Sequence, residues 1–398
     1  MYITKENFKH NNFNAIQFFM SVLVIYSHAF SIGNATETGE IVKMLTGSNY
    51  SAGRIAVATL FIVSGFLISA SYENSRSAVQ YFKNRIFRIF PALIAVVAAS
   101  VFILGPCVST LPVKQYFQDP GARSYLKNVL LYPIRWSLPG VFANNAYPWS
   151  VNGSLWTLPH QFTLYVLLGI LGFLGLLRHK NMSLICFGGF AFAHITQLNG
   201  GQVQLFLSSH GVDWASFLYL GMYFSAGMAA YAYRDQLCLS KKGAMTATVL
   251  LLFAWFVAKE YLISMSLFGT YIILYLAYCT KPLRFGVEHL SFGLYIYAFP
   301  VQQTVTFLFG GSMNPWLNMV IALPVTLLCA WLSHVCVEQP ALKLKKYFTL
   351  QKLIPQKVFT FWDKLYAKWL SLVDHIFNMH WILFGVLVCG VLAGVLFL

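Results

Sequence analysis

The chain has 398 residues, 58% of them hydrophobic and only 10% charged, against the roughly 25% charged of a soluble globular domain. That composition excludes a soluble enzyme, and the apolar stretches outrun the roughly ten alternating residues of a barrel strand, so the fold class is an all-α polytopic transmembrane bundle. The formal net charge of +15 does not call for a nucleic-acid partner, because the basic residues sort by membrane side. With a cytoplasmic N-terminus, 20 of the 27 Lys and Arg fall inside, from Lys5 and Lys9 through Arg76 to Arg88 and on to Lys343 through Lys368. Lys43, Arg54, Lys114, Arg123, Lys127, Arg135 and Lys259 fall outside. The inner excess obeys the positive-inside rule and suits anionic lipid. Seven cysteines, odd in number and never spaced as CxxC, indicate neither a disulfide framework nor a metal site. Asn-x-Ser/Thr matches at Asn34, Asn49, Asn152 and Asn181 are frequent by chance.

The first predicted span, Asn11 to Ser31, carries Asn14, Gln17, Ser21 and His28 within about 60° of one another on a helical wheel. An imidazole facing hydrocarbon is unfavourable by several kcal/mol, so this stripe faces a bundle interior or a wet cavity. It also makes the segment a poor signal-peptide core. A polar loop over residues 32–53 leads to a second span at 54–72, where Ser64-Gly65 permits close approach of a helix or a ligand.

Arg85 and Arg88 lie three apart, on one helical face at the cytoplasmic entrance to a third span at 89–106. Two such guanidiniums either snorkel to headgroups or grip phosphates. The segment 107–154, rich in Pro, Trp, Tyr and Asn, reads as an interfacial lid or substrate loop. The fourth span opens at SLWTLPHQFTLY, where Trp156, His160 and Gln161 cluster near Pro159.

Spans at 183–198, 214–233, 244–262, 264–280, 288–310 and 316–337 follow as antiparallel hairpins, making about ten core spans. After Glu338-Gln339-Pro340 the sequence predicts basic amphipathic helices on the inner surface, then a short C-terminal eleventh span from Trp381 to Leu398. The division is therefore a transmembrane domain at 1–346 and a tail of amphipathic segment plus helix at 347–398.

No Gly-rich phosphate loop, HExxH helix or GxSxG elbow is present. The candidates are the membrane-embedded polar groups His28, Arg85, Arg88, Trp156, His160, Gln161 and Glu338, with His194, His334 and Asp213 qualifying on the same grounds. Residues alone leave a transporter and an intramembrane enzyme both open.

The ordered motifs NFNAIQFFMSVLVIYSHAF, LFIVSGFLIS, FKNRIFRIFPAL, SLWTLPHQFTLY, SFGLYIYAFPVQQ and VEQPALKLKK resemble the membrane-bound acyltransferase family 3, the O-acyltransferases of bacterial surface glycans, over residues 10 to 346. The resemblance implies acetyl transfer from acetyl-CoA, without a metal, to a glycan hydroxyl, with lipopolysaccharide O-antigen the first choice of acceptor. It places the family's essential histidine at His28 and its Arg-x-x-Arg pair at Arg85 and Arg88. His28 would be a general base or a covalent acetyl carrier. It lies about 17 residues into its span, roughly 25 Å deep and toward the outer half. Ser64, Gly65 and Trp156 are candidates on the donor side, while Asn14, Gln17, His160, Gln161 and Glu338 are candidates to line the cavity. The implied partners are a lipid-linked or polymeric glycan and membrane lipid, in the bacterial inner membrane.

Asn14, Gln17 and Gln161 depart from the family, standing where it usually has an Asp, an Arg and an acid. Losing both members of the first-helix pair leaves no orphan charge. The alternatives are a transporter or flippase for a lipid-linked glycan and an inactive scaffold.

Overall fold

A computed structural model describes residues 1–4, 6–36, 39–47, 50–75, 77–198, 213–345, 368–371 and 373. Among these residues all regular secondary structure is helical, with a single isolated bridge between Ser109 and Val141. Ten long helices occupy the ten predicted stretches: α1 (Phe13–Asn34), α2 (Ala52–Glu73), α3 (Ala78–Val108), α4 (Gly153–Phe173), α5 (Asn181–Leu198), α6 (Trp214–Ala232), α7 (Lys241–Ala258), α8 (Leu262–Tyr278), α9 (Ser291–Leu308) and α10 (Pro315–Leu344). Six of them, α1, α2, α3, α4, α7 and α10, are long and apolar enough to cross a bilayer.

Short polar residues ahead of apolar runs start several of these helices. Ser51, Ser77, Asp213, Ser240 and Asn314 each accept a backbone N–H of the first turn. Asn12 instead ties the start of α1 to the end of α8, donating to Thr280 Oγ1 at 2.9 Å and accepting from Leu283 N at 2.8 Å.

Hydrogen bonds collect alternate turns at opposite ends. At the basic end the N-terminal amine donates to Leu239 O at 2.7 Å, Arg234 pairs with Glu73 at 3.3 Å and Lys180 with Asp235 at 2.9 Å. At the other end Met313 N donates to Gly33 O at 2.7 Å and Ala146 N to Gly311 O at 2.6 Å. The predicted hairpin alternation is therefore present in space.

α2 is the central helix, and its closest contact is with α6. A Cβ on Gly65 would lie 1.9 Å from Phe224 O, and one on Gly227 would lie 2.0 Å from Ile62 O. Only glycine at both positions lets the two backbones meet, so Gly65 serves helix packing rather than a ligand. Gln302 and Asn318 knit α1, α9 and α10, with Gln302 Nε2 donating to Ile25 O at 2.9 Å and to Asn318 Oδ1 at 3.0 Å. That bonding satisfies the buried amide nitrogen of Gln302, whose Oε1 has no partner among the described residues.

The 107–154 segment is a packed cap rather than a loose lid. It buries Tyr116, Tyr125, Leu138, Val141 and Phe142, and Asn152 Nδ2 donates to Ile296 O at 2.8 Å. Lys5, Asn49 and Arg76 lie outside the described residues, as does the predicted tail at 347–398 except for residues 368–371 and 373. There Trp369 Nε1 donates to Leu174 O at 2.9 Å.

Candidate active site

Two cavities lie back to back inside the bundle. The first, about 240 Å³, is lined by Asn14, Gln17 and Ser21 of α1, Ser64 of α2, Arg85 and Arg88 of α3 and Gln161 of α4. The second, about 490 Å³, holds His28 together with Trp156, Tyr50, Arg54 and the turn Lys259 to Leu262. Val57 and Tyr295 line both. One layer of side chains thus separates the arginine chamber from the histidine chamber.

The helical periodicity of α1 sets this division. Its polar stripe faces the interior as predicted, but Asn14, Gln17 and Ser21 open into the arginine chamber while His28, two turns further on, opens into the other. Ser21 Oγ donates to Gln17 O and to Ser291 O, both at 2.9 Å, which fixes α1 against α9.

Arg85 and Arg88 share the chamber-facing side of α3. Arg85 Nη2 donates to Ser71 Oγ at 3.1 Å, its Nε is buried without a partner among the described residues, and Arg88 lies 5.9 Å over the Phe292 ring. Gln161 Nε2 donates to Ser64 Oγ at 3.2 Å. Among the described residues no Asp or Glu lines this chamber, so two guanidiniums face a cavity with no described acid to neutralise them. Such a lining is suited to an anion.

The His28 ring stands edge-on to Phe299, with centroids 5.1 Å apart, and its Nδ1 is buried without a hydrogen-bond partner among the described residues. Trp156 belongs to this chamber and not to the one holding Ser64, Arg85 and Arg88. Between the chambers, the Tyr295 and Thr157 hydroxyls are 2.8 Å apart. Tyr50, at the second chamber, bonds the Tyr223 hydroxyl at 2.8 Å, and burial pushes the Tyr50 phenol up to about 12, so it stays neutral at physiological pH.

Three predicted site residues line neither chamber, the first being Gly65, which packs against α6. His160 is buried beside Tyr132, Trp156 and Phe217, with Nδ1 3.4 Å from the Tyr132 hydroxyl. Glu338 is buried in a wide turn of α10, 3.5 Å from Ser333 Oγ and 3.9 Å from His334 Nδ1. No residue of 107–154 lines either chamber.

Sequence reasoning missed Tyr295, Arg54 and the Lys259-Glu260 turn as wall residues. Tyr295 lies in SFGLYIYAFPVQQ and was within reach of motif reading, whereas Arg54 and Lys259 look like ordinary turn cations until the fold brings them together.

Fold and site together define an integral membrane protein with two facing polar chambers, one cationic and one bearing histidine. Residues 10–335 match the family described as acyltransferase domain, acyltransferase 3. An O-acetyl transferase of Shigella phage Sf6 is 28% identical over 342 residues, covering 83% of this chain and 96% of that protein. Nodulation protein 10 of Rhizobium leguminosarum bv. viciae is 25% identical over 379 residues, covering 86% and 96% respectively. No solved structure matches the chain significantly. The chain belongs to acyltransferase family 3 and is an acyltransferase.

Proposed function

We propose that this acyltransferase moves an acetyl group from cytosolic acetyl-CoA to a hydroxyl of a cell-surface glycan, the O-antigen of lipopolysaccharide. In this reading the protein crosses a bacterial inner membrane about ten times with its N-terminus inside. The observation that carries it is the pair of chambers meeting at Val57 and Tyr295, with Arg85 and Arg88 on one side and His28 on the other.

The arginine chamber fits the phosphates of a nucleotide-bearing donor, which two guanidiniums bind through charge-assisted hydrogen bonds. Asn14, Gln17 and Gln161 add neutral amides to that lining, which carries no carboxylate among the described residues to repel the donor. Tyr295 and Val57 mark where a thioester held from this side comes within reach of the histidine chamber.

His28 then acts as general base. The imidazole takes the proton of the sugar hydroxyl as its oxygen bonds to the thioester carbonyl carbon, the carbon–sulfur bond breaks, and CoA leaves as thiolate. The proton passes from the imidazolium to the thiolate or to solvent, restoring the base. Tyr295, which lines both chambers with its hydroxyl 2.8 Å from that of Thr157, is the residue we assign to donate to the developing oxyanion.

The test is mass spectrometry of surface glycan from cells expressing the unaltered protein or His28→Ala at matched membrane levels. The expected result is a mass increment of one acetyl group per modified sugar with the first and none with the second. An increment with both keeps the acetyltransferase and removes His28 from its chemistry. No increment with either, joined to absence of CoA binding by the purified protein, turns the assignment to a transporter or scaffold.

A further inference from the structure

The histidine chamber carries a charge pattern that proton transfer does not require. Arg54 and Lys259 both line it, both are exposed, and neither has a carboxylate within ion-pair distance among the described residues. The only acid among the described residues of the lining is Glu260, whose carboxylate is already committed. It accepts from Leu262 N at 2.9 Å, Ile263 N at 2.7 Å and Ser264 N at 2.8 Å, capping the start of α8.

Topology does not explain these cations either. They sit at the end of the bundle opposite the basic turns, where the positive-inside rule predicts few basic residues. Lys43 lies nearby, and burial together with the Arg54 charge holds its ammonium below the usual range. Lys259 is held in the left-handed backbone region at φ 57°, a costly conformation for a residue with a Cβ. That backbone places a lysine at the chamber wall where glycine or asparagine would be easier to accommodate.

The same chamber offers flat apolar rings. Tyr50 stacks on Tyr261 with centroids 5.1 Å apart and planes 10° from parallel, and Trp156 and Tyr219 complete an aromatic wall. Rings of this kind cover the apolar faces of a sugar, while its polar edge needs hydrogen-bond donors.

We infer that the histidine chamber selects an acidic sugar, its carboxylate or phosphate held by Arg54 and Lys259 and its ring faces resting on the tyrosines. The inference rests on the acetyl-transfer reading in taking this chamber as the acceptor side, and it narrows the acceptor from any surface glycan to an anionic one.

The experiment uses the full chain in nanodiscs and measures binding of four probes: galacturonic acid trisaccharide, its fully methyl-esterified form, galactose 6-phosphate and galactose. The expected result is at least about tenfold tighter binding of an acidic probe than of its neutral counterpart, lost in Arg54→Gln and in Lys259→Gln and partly restored in Arg54→Lys. Which acidic probe wins separates carboxylate from phosphate. CoA binding, measured on the same samples, is expected to be unchanged by these substitutions, which shows that the variants are folded. Equal binding of acidic and neutral probes, binding of none, or preference that survives both substitutions overturns the inference. Acid preference without any CoA binding leaves the acidic-sugar site standing and removes the acetyl-CoA reading, so the two failures are distinguishable.

Discussion

Tyr295 is the residue on which the two chambers depend, since its ring lines both and its hydroxyl is fixed by Thr157. Tyr295→Phe deletes one hydrogen bond and preserves the ring, so separation of the chambers should survive. A net hydrogen bond of about 1 kcal/mol predicts a turnover roughly fivefold lower with CoA affinity unchanged, read from acetyl-transfer kinetics and equilibrium CoA binding on the same preparation. Arg85→Gln and Arg88→Gln should do the opposite, each weakening CoA binding about tenfold. Lysine should restore little at Arg85, because the fork that reaches Ser71 while keeping further donors for the chamber is a guanidinium property. Equal CoA affinity in all four proteins would disconnect the arginine chamber from the donor.

At the scale of elements, the α2 and α6 contact tolerates no side chain at Gly65 or Gly227. Gly65→Ala and Gly227→Ala should each destabilise by about 1–3 kcal/mol through overpacking, seen as a lower melting temperature in detergent. An unchanged melting temperature would mean that the helices separate at no cost. A second element-level prediction concerns Glu40, buried beside the start of α2 and accepting from Ala52 N at 2.5 Å, with its other carboxylate oxygen unpartnered among the described residues. Burial raises its carboxyl above the ordinary value, against backbone hydrogen bonds from Ala52 and Lys43 that act the other way. The folded state then holds the proton more tightly than the unfolded one. Glu40 therefore costs stability as pH rises from the ordinary carboxyl range through the raised value, and the cost is relieved as pH falls. Melting curves across that interval should show a smaller pH dependence in Glu40→Gln than in the unaltered protein, and identical slopes would exclude Glu40 as the source.

The whole molecule is two sets of turns joined by antiparallel helices, and its orientation is testable at two exposed cysteines. Cys238 lies at the basic end, where its carbonyl accepts from the Tyr271 hydroxyl at 2.8 Å, and Cys107 lies at the far end of α3. With the N-terminus inside, an impermeant maleimide added to spheroplasts should label Cys107 and spare Cys238 until the membrane is opened. The reverse pattern would invert the proposed topology and place the histidine chamber on the donor side.

Much of this architecture was legible because bilayer solvation acts on the sequence locally. A run of apolar residues must form a helix to satisfy its own backbone, so the ten helical stretches could be read residue by residue. The polar stripe of α1 and the shared face of Arg85 and Arg88 follow from a period of 3.6 and needed no partner to be seen. What lies opposite each stripe is a different matter, since it depends on contacts between residues hundreds of positions apart. Only tertiary structure split the α1 stripe between two chambers, turned Gly65 to α6, withdrew His160 and Glu338 into packing, and walled the histidine chamber with Arg54, Tyr50 and the Lys259-Glu260 turn rather than with 107–154. Helix formation is dictated by short-range hydrogen bonding and solvent, whereas chamber walls are set by how helices cross, and no local pattern in the chain encodes that.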